Sequence, residues 1–72
     1  MNTISIMLNQ INKIKRFCEL VNHNKGDVIV SNNKYIVDGK SIMGIFSLDL
    51  NHPVTVTFKE PITIDIEKIK HL

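Results

Sequence analysis

The period of the hydrophobic pattern changes several times along this chain, and the order of those changes limits the folds open to it. Over residues 3–8 polar and apolar side chains alternate, which sets Ile4, Ile6 and Leu8 on one face of a strand. Over residues 11–23 the spacing becomes helical. Ile11, Ile14, Phe17, Cys18 and Val21 form one stripe, with Asn12, Lys15, Glu19, Asn22 and His23 opposite, and Gly26 suits the end of that helix. Residues 27–30 and 35–37 are rich in β-formers around Asn32 and Asn33, a hairpin signature. Residues 54–58 alternate again, with Val54, Val56 and Phe58 inward. After Pro61, Asp65 is placed to cap a helix through IEKIKHL, while ITIDI has equal propensity for a strand, so both remain open.

The segment VDGKSIMGIFSLDL, residues 37–50, stands apart from these patterns. Ile42, Met43, Ile45, Phe46, Leu48 and Leu50 point in nearly all directions around a short helix that Ser41 is placed to cap. One side of such a helix packs on a core, and something else must cover the other. The full order is β, α, β, β, short α, β and a final short element, within 72 residues. That predicts one α+β domain over 1–72, a four-stranded antiparallel sheet covered on one face by helices. With no tryptophan, its core is expected to be aliphatic with Phe17, Phe46 and Phe58.

Composition excludes more than it assigns. The single cysteine, Cys18, has no partner for an internal disulfide, which fits a reducing compartment, read here as cytoplasmic. No apolar run approaches the ~18 residues of a membrane span, and TISIML has neither a basic region nor a cleavage site, so no membrane insertion or export is expected. The formal charge of +2 does not by itself call for nucleic acid. His23, His52 and His71 show no metal-ligand spacing with one another or with Cys18, so neither metal nor cofactor is expected.

The string GKSIMGIFSL, at the end of a hairpin and opening a short helix, resembles the regulatory-serine region of the HPr family, the phosphocarriers of the bacterial phosphoenolpyruvate-dependent sugar phosphotransferase system. The resemblance extends to the spacing from Asp27 to Ser41, the stripe Ile14, Phe17, Cys18, Val21 and the alternation over 54–58. It implies an open-faced β-sandwich with the order βαββαβα. HPr carries its phosphoryl group on a histidine that opens the first helix in a His-Ala-Arg-Pro-Ala stretch. A gapless alignment puts Gln10, Ile11, Asn12, Lys13 and Ile14 on those five positions. An amide is no substitute for a nucleophilic imidazole, so the resemblance implies a variant without histidine phosphocarrier activity, similar to the catabolite-repression HPr-like branch, which has glutamine there. That branch usually keeps the alanine, arginine and proline, which this chain lacks.

Through the resemblance, Ser41 is the candidate regulatory phosphorylation site, and Lys40, Ile42, Met43, Gly44 and Phe46 are the candidate partner-binding residues. The partners implied are proteins of the phosphotransferase system and its regulators, HPr kinase and a transcriptional regulator among them. A phosphoserine opening a helix meets free amides and the favourable end of the dipole, and Lys40 would partly neutralise it. Gly44 costs a helix roughly 1 kcal/mol against alanine, which suggests close approach of a backbone or a partner. Without the motif, Ser41 reads as an N-cap alone.

Lys13, Lys15 and Arg16 oppose the dipole at a helix start; they read as a solvated face or as a site for an anion or acidic partner. Three functions follow. The favoured one is a non-catalytic regulatory or adaptor protein, not an enzyme. The others are a true phosphocarrier with a displaced acceptor, and a diverged domain that binds protein or nucleic acid through Lys13, Lys15 and Arg16. The family's last helix is longer than residues 65–72 allow, so part of the sheet or the first helix is expected to be uncovered, and either a monomer or a dimer is compatible with the sequence.

Overall fold

A computed structural model describes residues 2–72. The elements run β1 (Asn2–Ile6), α1 (Ile11–Asn22), β2 (Val28–Ser31), β3 (Ile36–Asp38), α2 (Ile42–Phe46), β4 (Val54–Phe58) and α3 (Ile66–Lys70). The strands form one antiparallel sheet in the order β1-β4-β2-β3. This is the α+β arrangement that the changes of period predict.

The register assigns each side chain to a face. Ile4 lies opposite Val56, Ile6 opposite Val54, Val28 opposite Phe58, and Val30 opposite both Val56 and Val37. Cross-strand partners share a face, so these residues form the side that the helices cover, and Val28, Val30, Val54, Val56 and Phe58 are all buried. The other face carries Thr3, Ser5, Ser31, Thr55 and Thr57, with Ile29, Ile36 and Asp38. It is left open, as one face of an antiparallel sheet can be when its side chains are polar.

α1 supplies Ile14, Phe17, Cys18 and Val21 to the core, α2 supplies Ile45, and α3 supplies Ile69. Each such side chain contributes ~1.5–3 kcal/mol when fully buried. Burial pushes the Cys18 thiol above its ordinary range. The final segment is a helix: the Asp65 carboxylate accepts from Glu67 N at 3.0 Å, Glu67 lies in the first turn and Lys68 and Lys70 in the last, a charge order that suits the helix dipole.

Several expectations need correction. β1 ends at Ile6, yet Leu8 still enters the core from the following loop and is fully buried. Phe46 is no core residue, being 46% exposed, and Ile11 is 62% exposed although it continues the α1 stripe. Gly26 does not end α1, which closes at His23; a Cβ on Gly26 would collide with the Lys59 and Pro61 carbonyl oxygens of the segment packed against it. Of the expected opening in the sheet or the first helix, α1 shows none, its inner stripe from Ile14 to Val21 being buried, whereas Ile4 and Ile6 on the inner face of β1 are only half-buried.

Candidate functional site

α2 divides its apolar residues between two surroundings. Ile45 is fully buried, and Leu48, just past the Ser47 C-cap, is nearly so. Ile42, Met43 and Phe46 point outward, 36%, 75% and 46% exposed. The crowded segment thus packs on the sheet with one side and leaves a contiguous apolar surface on the other.

Ser41 sits at the N-cap in extended conformation, with its Oγ accepting from Gly44 N at 3.2 Å. It is half-buried, next to the outward residues. With only five residues in α2, the dipole acting on Ser41 is small, and local amides are the main support for charge there. Gly44 faces inward to β3: a Cβ would lie 3.3 Å from Val37 Cβ and 3.6 Å from the Asp38 carbonyl oxygen. The close approach that its sequence position suggested is therefore to the chain's own backbone and side chains. Lys40 turns away from Ser41. Its Nζ donates to the Asn24 carbonyl at 2.6 Å, and its own carbonyl accepts from Asn22 Nδ2 at 3.3 Å, so it joins α1 to α2.

Gln10 is the N-cap of α1, and its side chain makes no capping bond. No acidic residue lies in the first turn. Lys13, Lys15 and Arg16 do not converge there. One helical residue turns the chain by about 100°, so Lys13 and Lys15 lie on opposite flanks of the buried stripe, and Arg16 points outward with its guanidinium 3.4 Å from Glu19.

The same geometry adds a residue that the periodicity had put in the core. Ile11 shares a flank of α1 with Lys15, Cys18 and Asn22, and Asn22 bonds to the chain just before α2. That flank faces α2. The strand register places the start of α1 and the end of α2 at the same end of the sheet, because Ile6 of β1 pairs with Val54 of β4. Ile11 is thus a further exposed apolar residue, on the flank of α1 that faces α2. Its signal in the sequence was its position at N1, where a helix has only half entered the packed layer.

A hollow lies at the hairpin end, lined by Asn32, Lys34, Tyr35, Asp49, His52 and Pro53 among others. It includes neither Ser41 nor the exposed residues of α2. Among the described residues no three of His, Cys, Asp and Glu are gathered as a metal site needs, and no helix is long and apolar enough to cross a membrane. No protein-family model matches the chain, and neither does any curated protein.

Proposed function

We propose that this chain is an HPr-like regulatory or adaptor protein of a bacterial sugar phosphotransferase system, acting in the cytoplasm by binding other proteins and not by catalysis. The observation that carries the reading is the pairing of Ser41 at the N-cap of α2 with the outward apolar residues Ile42, Met43 and Phe46 of the same helix. A partner that docks on those residues lies beside the serine hydroxyl. Phosphorylation there adds nearly two negative charges at the rim of an apolar contact, which repels acidic partners and attracts an arginine cluster. HPr kinase and a transcriptional regulator are the partners proposed. Gln10 at the start of α1 supports the absence of a phosphohistidine relay, since no imidazole occupies the helix cap.

Intact-mass measurement after two parallel incubations tests this reading. With HPr kinase and ATP, the chain should gain one phosphate on the Ser41 oxygen, absent in Ser41→Ala. With enzyme I and phosphoenolpyruvate it should gain none. A phosphate from enzyme I that survives Ser41→Ala would instead establish a carrier with a displaced histidine, and no phosphate in either tube would remove the regulatory switch.

A further inference from the structure

β3 is the last strand of the sheet, and among the described residues no strand lies along its outer edge. The hairpin ladder decides which of its backbone groups face that edge. Asn32 N–H donates to the Tyr35 carbonyl at 3.0 Å, Gly39 N–H donates to the Val28 carbonyl at 2.7 Å, and Val30 lies opposite Val37. Tyr35, Val37 and Gly39 therefore bond inward to β2, and the alternate residues Ile36 and Asp38 present their groups outward. The Asp38 carbonyl is already satisfied by Ser41 N–H at 3.1 Å. What remains open on the edge is the N–H and C=O of Ile36 and the N–H of Asp38.

Side chains on this edge are unusual for an unpaired strand. Ile36 is 76% exposed and Tyr35 59% exposed, the edge has no proline, and its two charges have opposite sign. Natural edges are commonly blunted by charge, proline or a bulge. An antiparallel match of this strand with itself, centred on Ile36, brings Lys34 opposite Asp38 twice and Tyr35 opposite Val37 twice. The Lys34 N–H and the Asp38 carbonyl, which that match would set against each other, are both satisfied within the chain, Lys34 N–H by the Asn32 side chain at 2.8 Å. Nothing is stranded by the pairing. The other edge, β1, carries no charged residue and so has no comparable complementarity to fix a register.

We propose that the β3 edge is a self-association surface, and that two copies of this chain pair antiparallel about a two-fold axis at Ile36. Each Ile36 N–H donates to the partner copy's Ile36 carbonyl, and the exposed isoleucines meet on the open face. Lys34 and Asp38 form two reciprocal ion pairs at the ends. The two four-stranded sheets become one of eight strands. A contact of one short strand lies at the small end of protein interfaces, so the dimer is weak and forms with rising concentration.

Sedimentation equilibrium of the full chain over micromolar to millimolar concentration, combined with amide hydrogen exchange, tests this. The expected result is a reversible monomer–dimer equilibrium in which the Ile36 amide exchanges about tenfold more slowly at the highest concentration. Ile36→Pro removes the donor on the axis, whose N–H has no partner within the monomer, and should abolish the dimer. Circular dichroism checks that this variant is folded. Lys34→Glu, in the exposed turn, sets like charges against Asp38 and should weaken association independently. Ser5→Lys on β1 should leave it unchanged. A monomer at every concentration, or a dimer that survives Ile36→Pro or is lost in Ser5→Lys, would overturn the proposal.

Discussion

Asn24 and Thr63, far apart in the chain, are joined by a hydrogen bond from the main chain of one to the side chain of the other. Thr63 N–H donates to Asn24 Oδ1 at 2.7 Å, while Asn24 Nδ2 donates to the Gly26 carbonyl at 2.8 Å and Thr63 Oγ1 donates to the His23 carbonyl at 3.2 Å. Among the described residues Asn24 is the one buried polar residue, and every polar atom of its side chain is used. It ties the turn after α1 to the segment before α3. Asn24→Ala leaves the buried Gly26 carbonyl unpaired, at a cost of ~1–3 kcal/mol, and takes the acceptor from Thr63 N–H, which is only partly buried and costs less. Urea denaturation should therefore show a loss of about 2–4 kcal/mol, and Asn24→Asp should lose stability as well, because it keeps the acceptor but gives up the donor to Gly26.

Gly26 and Gly44 should answer differently to alanine. At Gly26 the added methyl meets main-chain atoms, with Glu60 C at 2.7 Å and Pro61 O at 2.8 Å, and the backbone of either segment must move. Gly26→Ala should cost ~2 kcal/mol or more, as forced overpacking does. At Gly44 the nearest atoms are Val37 Cβ at 3.3 Å and Ser41 Oγ at 3.5 Å, and the gain in helix propensity is up to ~1 kcal/mol. Gly44→Ala should change stability by no more than about 0.5 kcal/mol in thermal or chemical melts, since the two effects oppose each other.

What could be read from the sequence was whatever has a local period or a local cap. The alternation in β1 and β4, the stripe of α1 and the Ser41 cap all depend on residues within a turn of one another. The last segment was undecided by propensity and settled by the Asp65 cap together with the burial of Ile69. Long-range requirements left no such trace. Gly26 reads as a helix terminator because its true neighbours, Lys59 to Pro61, are distant in sequence, and nothing local marks Asn24, whose partner Thr63 is equally distant. Lys40 was read by adjacency to Ser41, when its long side chain reaches Asn24 instead. Ile11 shares the period of the core stripe but lies at the end of the helix, and Lys13, Lys15 and Arg16, neighbours in sequence, are dispersed by the helix itself.

Cys18 gives a pH dependence with a definite sign. Its thiol is raised by desolvation, so the native chain holds the proton at a pH where the unfolded chain has lost it. Below the ordinary thiol range both states are protonated and stability is full. As pH rises through that range and up to the higher native value, the unfolded state binds fewer protons and stability falls. Cys18→Ala should flatten this alkaline decline while lowering stability at neutral pH. A thiol reagent should label the wild-type chain at the rate of unfolding; fast labelling without denaturant would contradict the burial.

Ser41 separates capping from regulation. Ser41→Ala removes the acceptor of Gly44 N–H and should cost ~1 kcal/mol, whereas aspartate is as good an N-cap as serine, so Ser41→Asp should stay within about 0.5 kcal/mol of the wild type. Melts of both variants are thus a necessary companion to the phosphorylation assay. If Ser41→Asp keeps its stability and loses affinity for an acidic partner, the effect lies in the charge and not in the fold.

The two sides of α2 provide the sharpest contrast. Ile45 is fully buried, so Ile45→Ala removes packed methyl groups and leaves a cavity, for a loss of ~2–5 kcal/mol. In a chain this short that is a large part of the total stability. Met43 lies only two residues away and is 75% exposed, so Met43→Ala should shift stability by less than about 0.5 kcal/mol. Ile11→Ser, at the exposed start of α1, should be similarly mild. Binding reads the opposite way: if the outward face of α2, with the flank of α1 that faces it, is the docking surface, Met43→Ala and Ile11→Ser weaken phosphorylation by HPr kinase several-fold while the fold is untouched, and Phe46→Ser weakens it further because an aromatic anchor carries more contact area. Kinetics of phosphate incorporation on variants with wild-type melting curves would measure this directly. Unchanged rates in all three would remove α2 as the contact and leave Ser41 as an N-cap.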